Sequence, residues 1–316
     1  MKHSNLPDTI LTLSQNRLES YRTYFNLSTD EECLGVYLWN DSLSSAFFKI
    51  IGIFEIAFRN MLHRELSSLF YVHKTQGTLF DNDWYNYLSS SGIINQQTIS
   101  ILKKTTHHKV SVRAGSTPTS QPKNPPPLPG KVVSAQTIGF WIKLIETTRT
   151  SIDWKTVFFK GFKGHFARYS SYWNTRSVDD LLIRLEQVAE LRNRVAHHEP
   201  LWKFTEIIHP TSGQQIYPFA QNPSESILRM STLHHRLTIL LGWISQDRKN
   251  DYLHSHYSKN FNWLCRLETI ENFKKISTTP KFSLSITKRN LSKILKNNSI
   301  FEITSKNSSM LIFKNV

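Results

Sequence analysis

Cysteine is nearly absent: Cys33 and Cys265 are the only two in 316 residues. Neither sits in a Cys-x-x-Cys or metal-ligand spacing, which excludes a disulfide framework and points to a reducing compartment. Long apolar runs are missing too. The most apolar stretch, residues 45–58, is too short for a membrane span and contains Lys49 and Glu55. The opening MKHSNLPDTI has no apolar core of a secretory signal. A soluble, cytoplasmic chain with no membrane partner is therefore expected. There is no Gly-rich phosphate-cradling loop, which argues against nucleotide hydrolysis, and no Gly-x-Ser-x-Gly or Cys–His signature. Acidic residues are also scarce, at 24 Asp and Glu against 39 Lys and Arg, for a formal charge of +15. A surface that basic attracts polyanions, with nucleic acid as the first candidate and an anionic membrane surface as the second.

What is present is a folding composition, 39% hydrophobic and 12% aromatic, with helical rather than strand periodicity. Residues 8–30 predict an amphipathic helix through Ile10, Leu11, Leu13, Leu18 and Tyr21. A second helix, capped by Asp41 or Ser42, runs to Phe70; it is apolar on almost every side and should be central, and its Glu55 and Arg59 are spaced to pair. The run STPTSQPKNPPPLPG, with Pro118, Pro122, Pro125, Pro126, Pro127 and Pro129, reads as a surface loop or linker. Beyond it, VDDLLIRLEQVAELRNRVAHH places Val178, Leu181, Leu182, Leu185, Val188, Ala189, Arg192 and Val195 on a 3.6-residue stripe, with Ser177 as its cap. Another apolar helix is expected at 224–246. No strand alternation precedes residue 280; after it, SIFEITSKNSSMLIFKNV suggests two short strands around a Lys-Asn-Ser turn. The segment from Glu271 onward holds nine Lys and Arg against Glu271 and Glu302.

The chemistry concentrates in ELRNRVAHHEP, residues 190–200. Pro200 cannot extend a helix and pushes Glu199 out of helical conformation, so the helix should end near His197–Glu199. His197 then lies at the negative end of the helix dipole, and a side chain that titrates near neutrality suits a general acid or base there. Arg192 and His197 are five residues apart, roughly 140° around a regular helix, so they are not on one face. Either the last turn loosens, or Arg192 reaches round on its long stem, or the two residues line a groove completed by a second helix, as a two-fold dimer would provide. A purely structural alternative has Arg192 and Asn193 satisfying helix-end carbonyls while His197 caps. His197-His198-Glu199 is a poor metal site, because adjacent residues diverge.

LRNRVAHHEPLW resembles the signature of the bacterial abortive-infection (Abi) proteins, the AbiD/AbiF-like group, within the HEPN superfamily and its Arg-polar-x3-His motif. The matching positions are Arg192, Asn193 and His197, followed by His198, Glu199 and Pro200. GIFEIAFRNMLHREL resembles that family's first long helix, with Glu55, Arg59 and Asn60 in the expected arrangement. TIGFWIKLI resembles the Gly-Phe-Trp segment preceding the motif helix. The resemblance spans about residues 15–250; the first 15 residues, the proline-rich insert and the basic tail lie outside it. It implies metal-independent RNA cleavage without a cofactor, the RNA 2′-hydroxyl attacking its own phosphate. His197 would move the proton, Arg192 would hold the phosphate, and Asn193 would orient either of them. His198 is a weaker second acid/base candidate; Glu199, Glu55, Arg59 and Asn60 are supporting candidates. Arg59-Asn60-x2-His63 is one residue too short for a second motif and reads as structural. RNA is the expected partner, as substrate and as a structured non-coding RNA, with a homodimer completing the site. HEPN folds that only bind RNA, and a protein-interaction module using the insert or tail, are the competing functions.

The expected fold is all-α, a HEPN-type helical bundle with an additional N-terminal helical region and a small basic appendage containing two short strands. The expected divisions are 1–110, an N-terminal helical region; 111–131, the proline-rich loop or linker; 132–265, the region bearing the motif; and 271–316, the basic C-terminal appendage.

Overall fold

The computed structural model describes residues 5–110, 119–203, 206–208, 214–275, 280–298, 300–306 and 308–313. Among them the chain is built of fourteen α-helices and a few short strands. The helices are α1 (Leu6–Leu13), α2 (Gln15–Phe25), α3 (Asp30–Leu69), α4 (Trp84–Ser90), α5 (Gln96–Thr106), α6 (Pro129–Ser134) and α7 (Ile138–Thr147). They continue as α8 (Trp154–Gly161), α9 (Thr175–Ala196), α10 (Pro223–Ile244), α11 (Gln246–His254), α12 (His256–Leu264), α13 (Leu267–Lys274) and α14 (Leu284–Asn297). The expected all-α class with small C-terminal strands is therefore observed.

Local chemistry explains where the helices begin and stop. The helix expected over 8–30 is two helices, interrupted at Ser14, whose φ of 72° leaves the helical region. The second ends at Asn26 in the left-handed conformation, with Leu27 N–H donating to Arg22 O at 3.0 Å. The long central helix starts at Asp30, eleven residues before the expected Asp41. Its start is a reciprocal capping box: Glu32 N–H donates to Thr29 Oγ1 at 3.2 Å and Thr29 N–H to Glu32 Oε2 at 3.3 Å. Likewise α9 is capped not by Ser177 but by Asn174, whose Oδ1 accepts the Ser177 N–H at 3.2 Å.

The chain divides into two units that do not follow chain order: Met1–Lys49, Arg194–His234 and Tyr252–Val316 form the first, Ile50–Asn193 and His235–Asp251 the second. In the first, Trp202 is enclosed by Tyr21, Tyr24 and Phe25 at ring distances of 4.3–5.3 Å. Trp39 Nε1 donates to Leu264 O at 2.8 Å, and His234 stacks on Phe261 at 3.8 Å while bonding the Tyr252 hydroxyl at 2.7 Å. The two expected end strands form, β8 (Ile300–Thr304) and β9 (Ser309–Phe313), antiparallel with Phe301 opposite Ile312. A third strand, β7 (Lys281–Ser283), lies parallel to β8 across the α14 crossover and had no alternation to announce it.

In the second unit the core joins Phe54, Phe58 and Leu62 of α3 to Trp141 of α7, Phe158 of α8 and Leu181, Leu185 and Leu191 of α9, all nearly inaccessible to solvent. Small strand pairs do precede residue 280: β1 (Gly77–Thr78) with β2 (Asp81–Asn82), and β3 (His107–Val110) with β4 (Thr119–Pro122). In the first unit, β5 (Ile207–Ile208) pairs with β6 (Gln215–Tyr217). All are too short to show periodicity. The described part of the proline-rich segment folds back onto α5, with Lys123 N–H donating to Thr106 O at 2.9 Å.

Candidate active site

The motif lies at the C-terminal end of α9. Of the expected stripe Val178, Leu181, Leu182, Leu185, Val188 and Val195 are buried and Ala189 is half-buried; Leu191, outside that stripe, is buried as well. Arg192 occupies the position four residues after Val188, where the same stripe would place another apolar side chain. Its guanidinium is consequently half-buried. Its Nη1 donates to Asn193 Oδ1 at 3.5 Å, a long contact that, among the described residues, leaves most of its five donors open. Asn193 itself is exposed.

Within the second unit three sequence segments converge on Glu55. Burial pushes its carboxyl pKa up, while Arg192, the Ile138 amide and Arg59 oppose that rise. Ile138 is the first residue of α7, so the carboxylate faces the positive end of that helix. Glu55 and Arg59 do not pair as their spacing suggested. Arg59 Nη1 instead donates to Ser134 O, the last residue of α6, at 2.8 Å, and Glu55 Oε1 is buried with no hydrogen-bond partner among the described residues. Asn60 is exposed on the same helix. His63 is held by two side chains: its Nδ1 accepts from Trp84 Nε1 at 2.9 Å, which leaves Nε2–H to donate to Asp81 Oδ1 at 2.9 Å.

In the first unit the chain leaves α9 through a six-residue closing turn. Glu199 N–H donates to Arg194 O at 2.9 Å and His198 N–H to Val195 O at 3.2 Å, with His198 at φ 54°. This is the Schellman arrangement, in which glycine usually occupies the left-handed position. The helix therefore stays regular to Ala196 and stops there, just short of the expected end. His197, His198 and Glu199 are exposed on this turn.

What holds the turn was not anticipated. Leu201 and Trp202, immediately after Pro200, are 0% and 3% exposed. Leu201 N–H donates to Asn40 Oδ1 at 2.8 Å, Ser226 Oγ donates to Trp202 O at 2.8 Å, and the Arg194 guanidinium donates to Lys203 O. The sequence signal was there: two large apolar residues directly after a helix-stopping proline.

The profile of the Abi-like protein family matches residues 10–203, ending just past this anchor. The chain belongs to the Abi-like protein family. It is thus an abortive-infection family protein, and membership suggests a part in phage defence. Comparisons with curated proteins and with solved structures found no match. The matched span of this Abi-like chain contains every candidate site residue and excludes the helices from α10 onward. Among the described residues no helix is long and apolar enough to cross a membrane, and no three His, Cys, Asp or Glu side chains cluster to hold a metal ion.

Proposed function

We propose that this Abi-like protein is a metal-independent endoribonuclease of the HEPN type. The observation that carries the reading is Arg192: a guanidinium set into a buried stripe, with open donors, on the turn of helix that precedes an exposed histidine. A buried stripe accepts such a group only at a cost, and a planar donor fork suits a phosphate. In the reaction the RNA 2′-hydroxyl loses its proton to a base and its oxygen attacks the adjacent phosphorus. The bond to the 5′-oxygen breaks, and that oxygen takes a proton from an acid. The products are a 2′,3′-cyclic phosphate and a 5′-hydroxyl. His197 serves as one of these proton carriers, and a second copy of the chain supplies the other. Arg192 neutralises the charge that builds on the non-bridging oxygens. Asn193 orients Arg192, and Glu55 with the α7 N-terminus backs it from below.

Purified protein incubated with RNA in EDTA should generate cyclic-phosphate ends. His197→Ala should lower the rate by about 10²–10⁴-fold, and Arg192→Lys, which keeps the charge and loses the fork, should lower it substantially. Intact RNA, or cleavage that His197→Ala does not change, refutes the reading. The charge of +15 also supports a second reading, an RNA-binding protein without catalysis. It predicts salt-sensitive binding and no new RNA ends.

A further inference from the structure

Between Trp154 and Ser177 the chain carries Lys155, Lys160, Lys163, Arg168 and Arg176 and no Asp or Glu. All five cations are exposed. The same stretch, α8 and the loop to α9, exposes four aromatic rings: Phe159, Phe166, Tyr169 and Tyr172, with Phe166 and Tyr169 at 72% and 74%. Exposed rings gathered on one loop mark a binding surface more often than chance exposure.

The rings are presented on a fixed base. His165 is lodged among Phe166, Tyr172, Trp173 and Trp243 at ring distances of 4.2–5.0 Å, and its Nδ1 accepts the Ala167 N–H at 3.0 Å. Gly164 N–H donates to Trp243 O at 2.8 Å, and any side chain at 164 would collide with the Gly242 carbonyl. Burial drives the His165 pKa down to about 4, so the hub is neutral and the positive charge lies in the outer ring of Lys and Arg. Beside it opens a cavity of about 350 Å³ whose walls include Arg149, Trp154, Lys155, Trp173 and Asn174. Trp173 belongs to both the hub and the cavity wall, and the volume is that of a small-ligand pocket.

We propose that residues 154–176 form a binding strip for single-stranded RNA: bases stack on Phe166, Tyr169 and Tyr172, phosphates lie against Lys160, Lys163 and Arg168, and one unstacked base enters the cavity beside Trp173. Duplex RNA hides its base faces, so stacking rings select unpaired strands. An anionic membrane would be the other taker of basic and aromatic groups; the exposed apolar side chains to insert are Phe159 and Phe166, without an exposed Leu, Ile, Val or Met beside them, and the vesicle arm of the test separates the two. The strip lies at the opposite end of α9 from Arg192, about 26 Å along the helix. It rests on RNA being the ligand of this protein, not on cleavage.

The test is anisotropy of a labelled, unstructured 12-nucleotide RNA with the full chain carrying His197→Ala. Phe166→Ala with Tyr169→Ala should weaken binding by about 10–100-fold and leave the salt slope unchanged. Lys160→Ala, Lys163→Ala and Arg168→Ala together should flatten the log–log salt slope by about 2. These side chains are exposed, so unchanged melting curves show that each variant folds. The proposal is overturned if the aromatic variant binds as the parent does, if the same RNA in duplex form binds equally well, or if the variants lose only binding to phosphatidylserine vesicles. RNA held by the strip but never cleaved sinks the nuclease reading and leaves this one standing. Cleavage by a protein whose aromatic variant binds normally does the reverse.

Discussion

His198 is the residue whose backbone does most at the motif. A φ of 54° costs an L-residue about 1–2 kcal/mol relative to glycine, which adopts the same conformation freely. Glycine loses part of that gain to its greater freedom in the unfolded chain. His198→Gly should therefore stabilise the protein by about 0.5–1 kcal/mol, read as a rise in melting temperature. If His197 is the proton carrier and His198 serves the turn, RNA cleavage should persist in His198→Gly. A loss of several orders of magnitude would instead make His198 the second acid or base. Arg192 shows the opposite economy. Its position on the stripe is one that core packing alone would give to a leucine, and Glu55 is left as a half-buried carboxylate near it.

Helix α9 is held at both ends. At its start Asn174 satisfies an otherwise orphaned amide, and along its length the buried stripe from Val178 to Leu191 sets its rotation. At its end the Leu201–Trp202 anchor holds the chain after the turn, with the Leu201 amide donating to Asn40 Oδ1. Asn40→Ala leaves the Leu201 N–H buried and unpaired, at a cost of about 1–3 kcal/mol. Urea unfolding measures that loss. Hydrogen exchange should show it concentrated at residues 197–202, and an exchange pattern unchanged there would mean the anchor does not control the turn.

On the scale of the whole molecule, charge and pH govern behaviour. If RNA is the ligand, as proposed, the +15 surplus should make its affinity fall steeply with salt. Stability depends on pH through groups that burial has shifted. The His165 pKa is lowered in the fold, so its contribution is complete above the ordinary pKa near 6.5 and is lost as pH falls toward about 4. Glu55 works in the other direction: its raised pKa contributes stability at acid pH that is lost as pH rises through the folded value. His165→Gln should flatten the fall in melting temperature between pH 6.5 and 4, measured against the parent in matched buffers. An equally steep fall in the variant would assign the acid sensitivity to other groups.

Some of this was written in local pattern. The helical class, the buried stripe of α9, the stop imposed by Pro200, the pair of end strands and the basic surplus all follow from spacing, proline geometry and charge, which act within a few residues of one another. The TDEE capping box at Thr29 was equally legible and simply outweighed by the apolar run that follows it. Other features were decided only when distant segments met. Glu55 and Arg59 had the spacing of a pair, yet Arg59 found the end of α6 and Glu55 came to face Arg192 and the start of α7. The anchor of Leu201 on Asn40 joins residues 161 apart, and the β7 strand gains its partner across a helix. Periodicity tells which face of a helix is buried; it does not tell against what, because the identity of the neighbour depends on the packing of the remainder of the chain.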